Sequence, residues 1–166
     1  MKQHWAKITA TVCYVGYIKP APGTWGSLVA LLLAWLLYQI GGIWLFILAI
    51  PITYIKGHIA TKWMTEGKAN HDPSEIVIDE VVGQWIALLP IILGASMINV
   101  SSLSLWPGWI MAFAFFRFFD ITKLGPVGWA DRKDNATGVM LDDVIAGAFA
   151  AVCVIGIAGL WHWGRS

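Results

Sequence analysis

Five carboxylates in this sequence stand directly against long apolar runs. Asp79-Glu80 opens the run Val81-Val82-Gly83-Gln84-Trp85, Asp142-Asp143 opens Val144-Ile145-Ala146-Gly147, and Asp120 closes the run from Phe113 to Phe119, three residues after Arg117. The two pairs form a weak internal repeat, an acid pair followed within a turn by a small residue. Acids at helix starts act as caps and complement the macrodipole, for about 0.3–1 kcal/mol each. Capping suits Asp142, with Asp143 in the first turn. It accounts poorly for a second adjacent acid, which adds repulsion, and it fails for Asp120 at the opposite end of its helix. Few basic residues are at hand to offset five carboxylates beside hydrocarbon. A hard divalent cation held by Asp79, Glu80, Asp120, Asp142 and Asp143 supplies that charge, and Mg²⁺ is the default for such oxygen ligands. His58 and His71 raise zinc as an alternative, but a ligand set dominated by carboxylates favours Mg²⁺.

A second element is the segment Pro20-Ala-Pro-Gly-Thr-Trp-Gly-Ser27 before the first apolar run. Gly23 and Gly26 free the backbone to turn N–H groups toward one point, and the hydroxyls of Thr24 and Ser27 add donors. With the helix N-terminus behind them, these residues form a candidate anion cradle. Taken alone, the segment reads better as a plain helix start, Pro and Gly followed by a Ser cap. Beside the acidic cluster and the cations Arg117 and Lys123, it reads as a phosphate site.

Familiar routes to phosphate chemistry are excluded by pattern. Cys13 is followed at the thiol-phosphatase distance by Lys19 where an Arg is required, no D-x-D-x-[TV] string occurs, and no Arg precedes a Pro. Neither G-x-x-x-x-G-K-[ST] nor G-x-S-x-G is present. Asp131, Asp134 and Asp142 mimic part of the metal motif of the CDP-alcohol phosphotransferases, but Asn135 stands where that motif wants Gly. Metal-assisted attack of water on a phosphate monoester survives, with Glu80, whose longer stem reaches past a metal, as the carboxylate that accepts the proton.

The elements that must position these groups are membrane helices. Of 166 residues, 58% are apolar and 13% charged, Trp occurs 11 times, and the net charge is +1. That balance excludes a disordered chain, a basic nucleic-acid binder and a soluble enzyme with a charged shell. Cys13 and Cys153 make no redox or metal spacing, and Met1 to Trp5 show no signal-peptide pattern. No Lys, Arg, Asp or Glu occurs in 20–55 or in 81–116, two gaps of 36 residues, each long enough for two short spans and a turn. Gly41-Gly42 supplies the first turn, and Asn99 to Ser104 with Pro107-Gly108 the second. Five helices are predicted, near 27–40, 43–57, 81–97, 107–121 and 143–161, the shorter ones reaching only ~21–25 Å. The charged segments 2–19, 56–80 and 117–143 are placed in the cytoplasm by their Lys and Arg, with Arg165 as the one charged residue beyond them. Trp44, Trp106, Trp109, Trp161 and Trp163 are assigned to the outer interface. The chain thus reads as a single all-α membrane domain, 1–166, with its polar chemistry gathered on one membrane face.

Four blocks carry a family resemblance: Pro22-Gly-Thr-Trp-Gly-Ser-Leu28, Ile76-Val-Ile-Asp-Glu-Val-Val-Gly83, Arg117-Phe-Phe-Asp-Ile-Thr-Lys123 and Gly138-Val-Met-Leu-Asp-Asp-Val-Ile-Ala-Gly147. In order and spacing they resemble the phosphatidylglycerophosphatase A family over roughly 14–158, and His58 and His71-Asp72 also sit where that family has them. The resemblance implies a Mg²⁺-dependent enzyme of the bacterial cytoplasmic membrane, multi-pass, with its site facing the cytoplasm. It implies removal of the terminal phosphate of phosphatidylglycerophosphate to give phosphatidylglycerol, within the lipid phase and with no nucleic-acid partner. By position, Asp79, Glu80, Asp120, Asp142 and Asp143 match the family's acids. Lys123-Leu-Gly-Pro126 and Thr137-Gly138 depart from its usual Lys-Pro-x-Pro and Gly-Gly, both in the third charged loop. Two other readings stay open at this point: a CDP-alcohol-type lipid phosphotransferase and a small Mg²⁺-binding ion carrier.

Overall fold

The uncharged stretch 20–55 folds back on itself at Gly41-Gly42. The computed structural model describes residues 1–68 and 72–163, without the side chains of His162 and Trp163. His71, Arg165 and the Trp163 ring, all named above, lie outside that description. In chain order the elements are α1 (Lys2–Ala10), a 3₁₀ turn at Val15–Tyr17, α2 (Pro22–Thr65), α3 (Ile78–Met97), a 3₁₀ turn at Ser102–Leu105, α4 (Trp106–Thr122), α5 (Pro126–Asp131) and α6 (Ala136–Trp163). No strand occurs among the described residues.

Helix α2 is broken at Gly41 (φ −135°, ψ 15°) and Gly42 (φ 62°, ψ −159°). The positive φ of Gly42 is backbone that a side chain would oppose. The contacts on either side of the break run in opposite directions along α3. Gly23 faces Glu80 and the Ala30 carbonyl accepts from Trp85 Nε1 at 2.9 Å, so the first arm runs parallel to α3. Phe46 packs on the Trp85 ring and Gly57 on Ile78, so the second arm runs back. The expected hairpin is therefore present.

Helix α3 is the central element, with Val81, Val82, Leu88 and Ile92 buried. It meets α2, α4 and α6, and its closest neighbour is α6. A Cβ on Gly147 would collide with the Gly83 carbonyl, and one on Gly83 would collide with the Phe116 ring and approach the Asp143 carbonyl to 2.6 Å. Small residues permit this backbone contact, as at close helix crossings in membranes. The α2, α3, 102–122 and 136–161 segments are long and apolar enough to cross a membrane. Leu48, Ile52 and Ile55 form an exposed stripe along the second arm of α2, as a lipid-facing surface requires.

Several helix boundaries differ from expectation. The spans are longer than the apolar runs: α3 covers 20 residues, or ~30 Å, because the charged ends continue the helical backbone. The segment from Pro22 is the first turn of α2 and not a loop before it, since proline is preset for a first helical position. Helix α6 begins at Ala136, so Asp142-Asp143 lie beyond its first turn and do not cap it. The cap is Asn135, whose Oδ1 accepts from Gly138 N at 2.9 Å. Helices α1 and α5 form within the charged segments, where hydropathy predicts only loops. Trp44, Trp106 and Trp161 are exposed, but Trp109 is 7% exposed and donates from Nε1 to the Ser102 carbonyl at 2.9 Å. That indole is a packing residue and not part of an interfacial belt.

The α3–α6 contact predicts the effect of added bulk. Gly147→Leu should lower the thermal unfolding midpoint in detergent, by at least the ~1–3 kcal/mol typical of overpacking. Gly156→Leu, on the same helix with nothing within 4 Å of its Cβ position, should leave the midpoint unchanged or raised.

Candidate active site

The acidic residues converge because four elements end at the same level. The start of α2, the start of α3, the last turns of α4 and the second turn of α6 surround a cavity of about 330 Å³. Asp79 and Glu80 enter from α3, Asp120 and Arg117 from α4, Asp142 and Asp143 from α6, and Lys123 from the turn after α4. Asp72, Ser74 and Ile76 form a further wall. That wall is tied to α1 where the Ala10 carbonyl accepts from Val77 N at 2.9 Å, and Gly16 abuts the Glu75 carbonyl. On the open side the rim carries Ile121, which is 68% exposed.

The five carboxylates fall into two groups. Asp79, Glu80 and Asp143 each offer a carboxylate oxygen, and these oxygens lie within 4.8 Å of one another. Asp143 is 2% exposed, and both its Oδ1 and Glu80 Oε2 are buried without a hydrogen-bond donor. Burying ionised oxygens unpaired is costly unless a cation joins them. An all-oxygen donor set with orphaned lone pairs fits a hard divalent ion, Mg²⁺ in particular. Asp120 and Asp142 have cations already. Arg117 Nη1 is 2.5 Å from Asp120 Oδ2, and Lys123 Nζ is 3.3 Å from Asp120 Oδ1 and in direct contact with Asp142 Oδ2. Burial works against the Lys123 charge, but Asp143, Asp142 and Asp120 outweigh it and hold its ammonium above the ordinary lysine range.

The structure thus brings Asp79, Glu80, Asp120, Asp142, Asp143, Arg117, Lys123 and Gly23 to one cavity. Thr24, Gly26 and Ser27 do not line it. Ser27 is buried, its hydroxyl donates to the Gly23 carbonyl at 2.8 Å, and Arg117 Nη1 lies 3.5 Å from its oxygen. Gly26 packs against Val77, where a Cβ would come within 2.8 Å of the valine Cβ. Gly23 is different: a Cβ there would collide with Glu80 Oε1 and stand 3.1 Å from Arg117 Nη1. His58 lies elsewhere, with Nε2 3.0 Å from Thr137 Oγ1 beside a separate cavity, so it offers no zinc ligand to the acids. Sequence reasoning gave Ser74 no role and treated Asp131 only as part of a foreign motif. Asp131 reaches Lys123, Oδ1 to Nζ 3.4 Å, through α5. The Pro126 that starts this helix was the available signal.

Comparison with known proteins places the chain among named relatives. The family model described as phosphatidylglycerophosphatase A matches residues 8–158. A Haemophilus influenzae protein named phosphatidylglycerophosphatase A is 38% identical over 143 residues, covering 86% of this chain and 82% of the relative. An Escherichia coli K12 protein of the same name is 32% identical over 152 residues, covering 86% and 77%. A Bacteroides thetaiotaomicron protein named "Putative phosphatidylinositol-3-phosphatase" is 32% identical over 144 residues, covering 84% of each. No solved structure matches the chain.

The two glycines of the α2 start should separate experimentally. Gly26→Val should lower the unfolding midpoint through its clash with Val77, on the ~1–3 kcal/mol scale of overpacking. Gly23→Val should instead displace the Glu80 carboxylate and weaken Mn²⁺ binding at least about tenfold, a loss of ~1.4 kcal/mol. Thermal unfolding and metal titration on both variants check this.

Proposed function

The chain belongs to the phosphatidylglycerophosphatase A family, and we propose that it hydrolyses the terminal phosphate monoester of phosphatidylglycerophosphate to phosphatidylglycerol, in phospholipid biosynthesis. The observation that carries this reading is the pair of buried, donorless oxygens on Glu80 and Asp143, beside a guanidinium that faces the same cavity. Mg²⁺ held there by Asp79, Glu80 and Asp143 would polarise the phosphoryl group and lower the pKa of a bound water.

The remaining work falls to the chain's own residues. Arg117 neutralises phosphate charge at the cavity floor, where Asp120 and Ser27 hold its guanidinium. The Gly23 backbone, bare of a side chain, lets the phosphate approach the start of α2 and its positive potential. Glu80 accepts the water's proton at Oε1, the oxygen that faces Gly23 and Arg117, and returns it to the departing glycerol oxygen as the new P–O bond forms and the old one breaks. Positioning and charge neutralisation then carry the step. An ion carrier needs acids spaced along a path through the bilayer, whereas here they gather at one end of the helices.

We assign the protein to the bacterial cytoplasmic membrane with this cavity toward the cytoplasm. The basic residues support that orientation. Lys56 and Lys62 lie in the cavity-side half of the second α2 arm, and Arg132 and Lys133 follow α5. Ser101→Cys should react with an impermeant thiol reagent from outside and not from the cytoplasmic side.

Inorganic phosphate release from the lipid monophosphate in detergent, with and without EDTA, tests the reaction. EDTA should stop release and Mg²⁺ restore it. Asp79→Asn should abolish turnover in a folded protein, and Arg117→Ala should reduce it at least tenfold, within the ~2–4 kcal/mol of a lost transition-state contact. Activity within a few-fold of native in Asp79→Asn would return Asp79-Glu80 to the role of first-turn acids that complement the α3 dipole.

A further inference from the structure

Two cation positions lie side by side in this cavity, and the chain fills one of them itself. Lys123 Nζ stands 3.3 Å from Asp120 Oδ1, 3.4 Å from Asp131 Oδ1 and in contact with Asp142 Oδ2. These acceptors come from α4, α5 and α6. An ammonium has three N–H donors and no acceptor, and here three carboxylates from three elements converge on it. Such convergence of carboxylate oxygens is otherwise the mark of a hard metal ion. The neighbouring group is the converse. Asp79, Glu80 and Asp143 offer oxygens within 4.8 Å of one another, yet among the described residues the only ion pair to them is that of Arg117, 4.0 Å from Glu80 Oε1, and the orphaned carboxylate oxygens, on Glu80 and Asp143, belong to this group. Asp142 and Asp143, adjacent in sequence, divide between the two.

The backbone is shaped to deliver the lysine. Lys123 closes α4 in the left-handed region, φ 49°, ψ 41°, with its N–H on the Phe119 carbonyl at 3.0 Å. That conformation is uncommon for a residue with a side chain, and the chain turns again at Gly125, φ 54°. Two-metal hydrolytic sites place their second ion about 3.5–4 Å from the first, where it offsets charge on the transferred group. A lysine can supply such charge but cannot generate a hydroxide.

We propose that Lys123 is the built-in second cation of this site, so that the protein binds one divalent ion, at Asp79, Glu80 and Asp143, and not two. The proposal rests on the metal reading given under Proposed function. In it, activation of water belongs to the Asp79 side, while Lys123 contributes a fixed charge that no chelator removes.

The test is the stoichiometry of Mn²⁺ on the full-length protein in detergent, by equilibrium dialysis and electron paramagnetic resonance. The native chain should saturate at one Mn²⁺ with the signal of an isolated ion. Lys123→Met, which keeps the apolar stem and removes the ammonium, should saturate at two, with a signal broadened by coupling between neighbouring ions. Lys123→Gln, a second variant without the charge, should do the same, whereas Lys123→Arg should remain at one. Two ions on the native protein overturn the proposal whatever the variants do, as does one ion on a folded Lys123→Met or Lys123→Gln. No ion on the native protein overturns the metal reading itself and this proposal with it.

Discussion

The cavity depends on two helices touching backbone to backbone. Gly147 of α6 lies against the Gly83 carbonyl of α3, with Gly83 against the Phe116 ring of α4. Each glycine follows an acid by four residues, Asp79 to Gly83 and Asp143 to Gly147, and residues four apart share a helix face. Wherever the glycines bring the helices together, the acids one turn away are brought together too. The carboxylates converge as a consequence of the packing, not through attraction for one another. Mutual repulsion and lost hydration oppose the arrangement, and the helix interface sustains it.

The charges then sort by what each element can offer. Helix α4 brings Arg117 and Asp120 three residues apart, so its acid arrives already paired. The turn after α4 brings Lys123, which binds Asp120, Asp131 and Asp142. Among the described residues no ion pair of this kind reaches Asp79 or Asp143, and Lys123 acts on Asp143 only from farther off. The unmet electrostatic demand is therefore confined to one corner of the cavity. That corner adjoins Gly23, the position on α2 where even a methyl group would collide with Glu80.

Much of this was legible before any coordinates. The two uncharged gaps, the Gly41-Gly42 turn and the gathering of acids at one end follow from hydropathy and charge, which bilayers impose strictly. Boundaries were less legible, because hydropathy marks where lipid ends and not where helical hydrogen bonding ends. The charged segments hide α1 and α5 for that reason, and the Asn135 cap places the α6 start at Ala136, six residues before Asp142. The roles within Pro22–Ser27 were also beyond pattern alone. Two glycines and two hydroxyls look equivalent as text, but helical rotation turns only Gly23 to the cavity while Gly26 and Ser27 pack inward. The division of the acids depends on Lys123 reaching across three elements, a contact that no local spacing announces.

The exposed Ile121 on the rim, next to Asp120 and one turn from the exposed Phe118, gives the polar cavity an apolar edge. An amphiphile can slide its head group over that edge while its acyl chains stay in the leaflet, and its product can leave by the same path. The encounter is then a search in two dimensions. The quantity that governs occupancy is the substrate's mole fraction among its neighbouring lipids, so diluting the membrane with inert lipid would slow the protein as surely as withholding substrate.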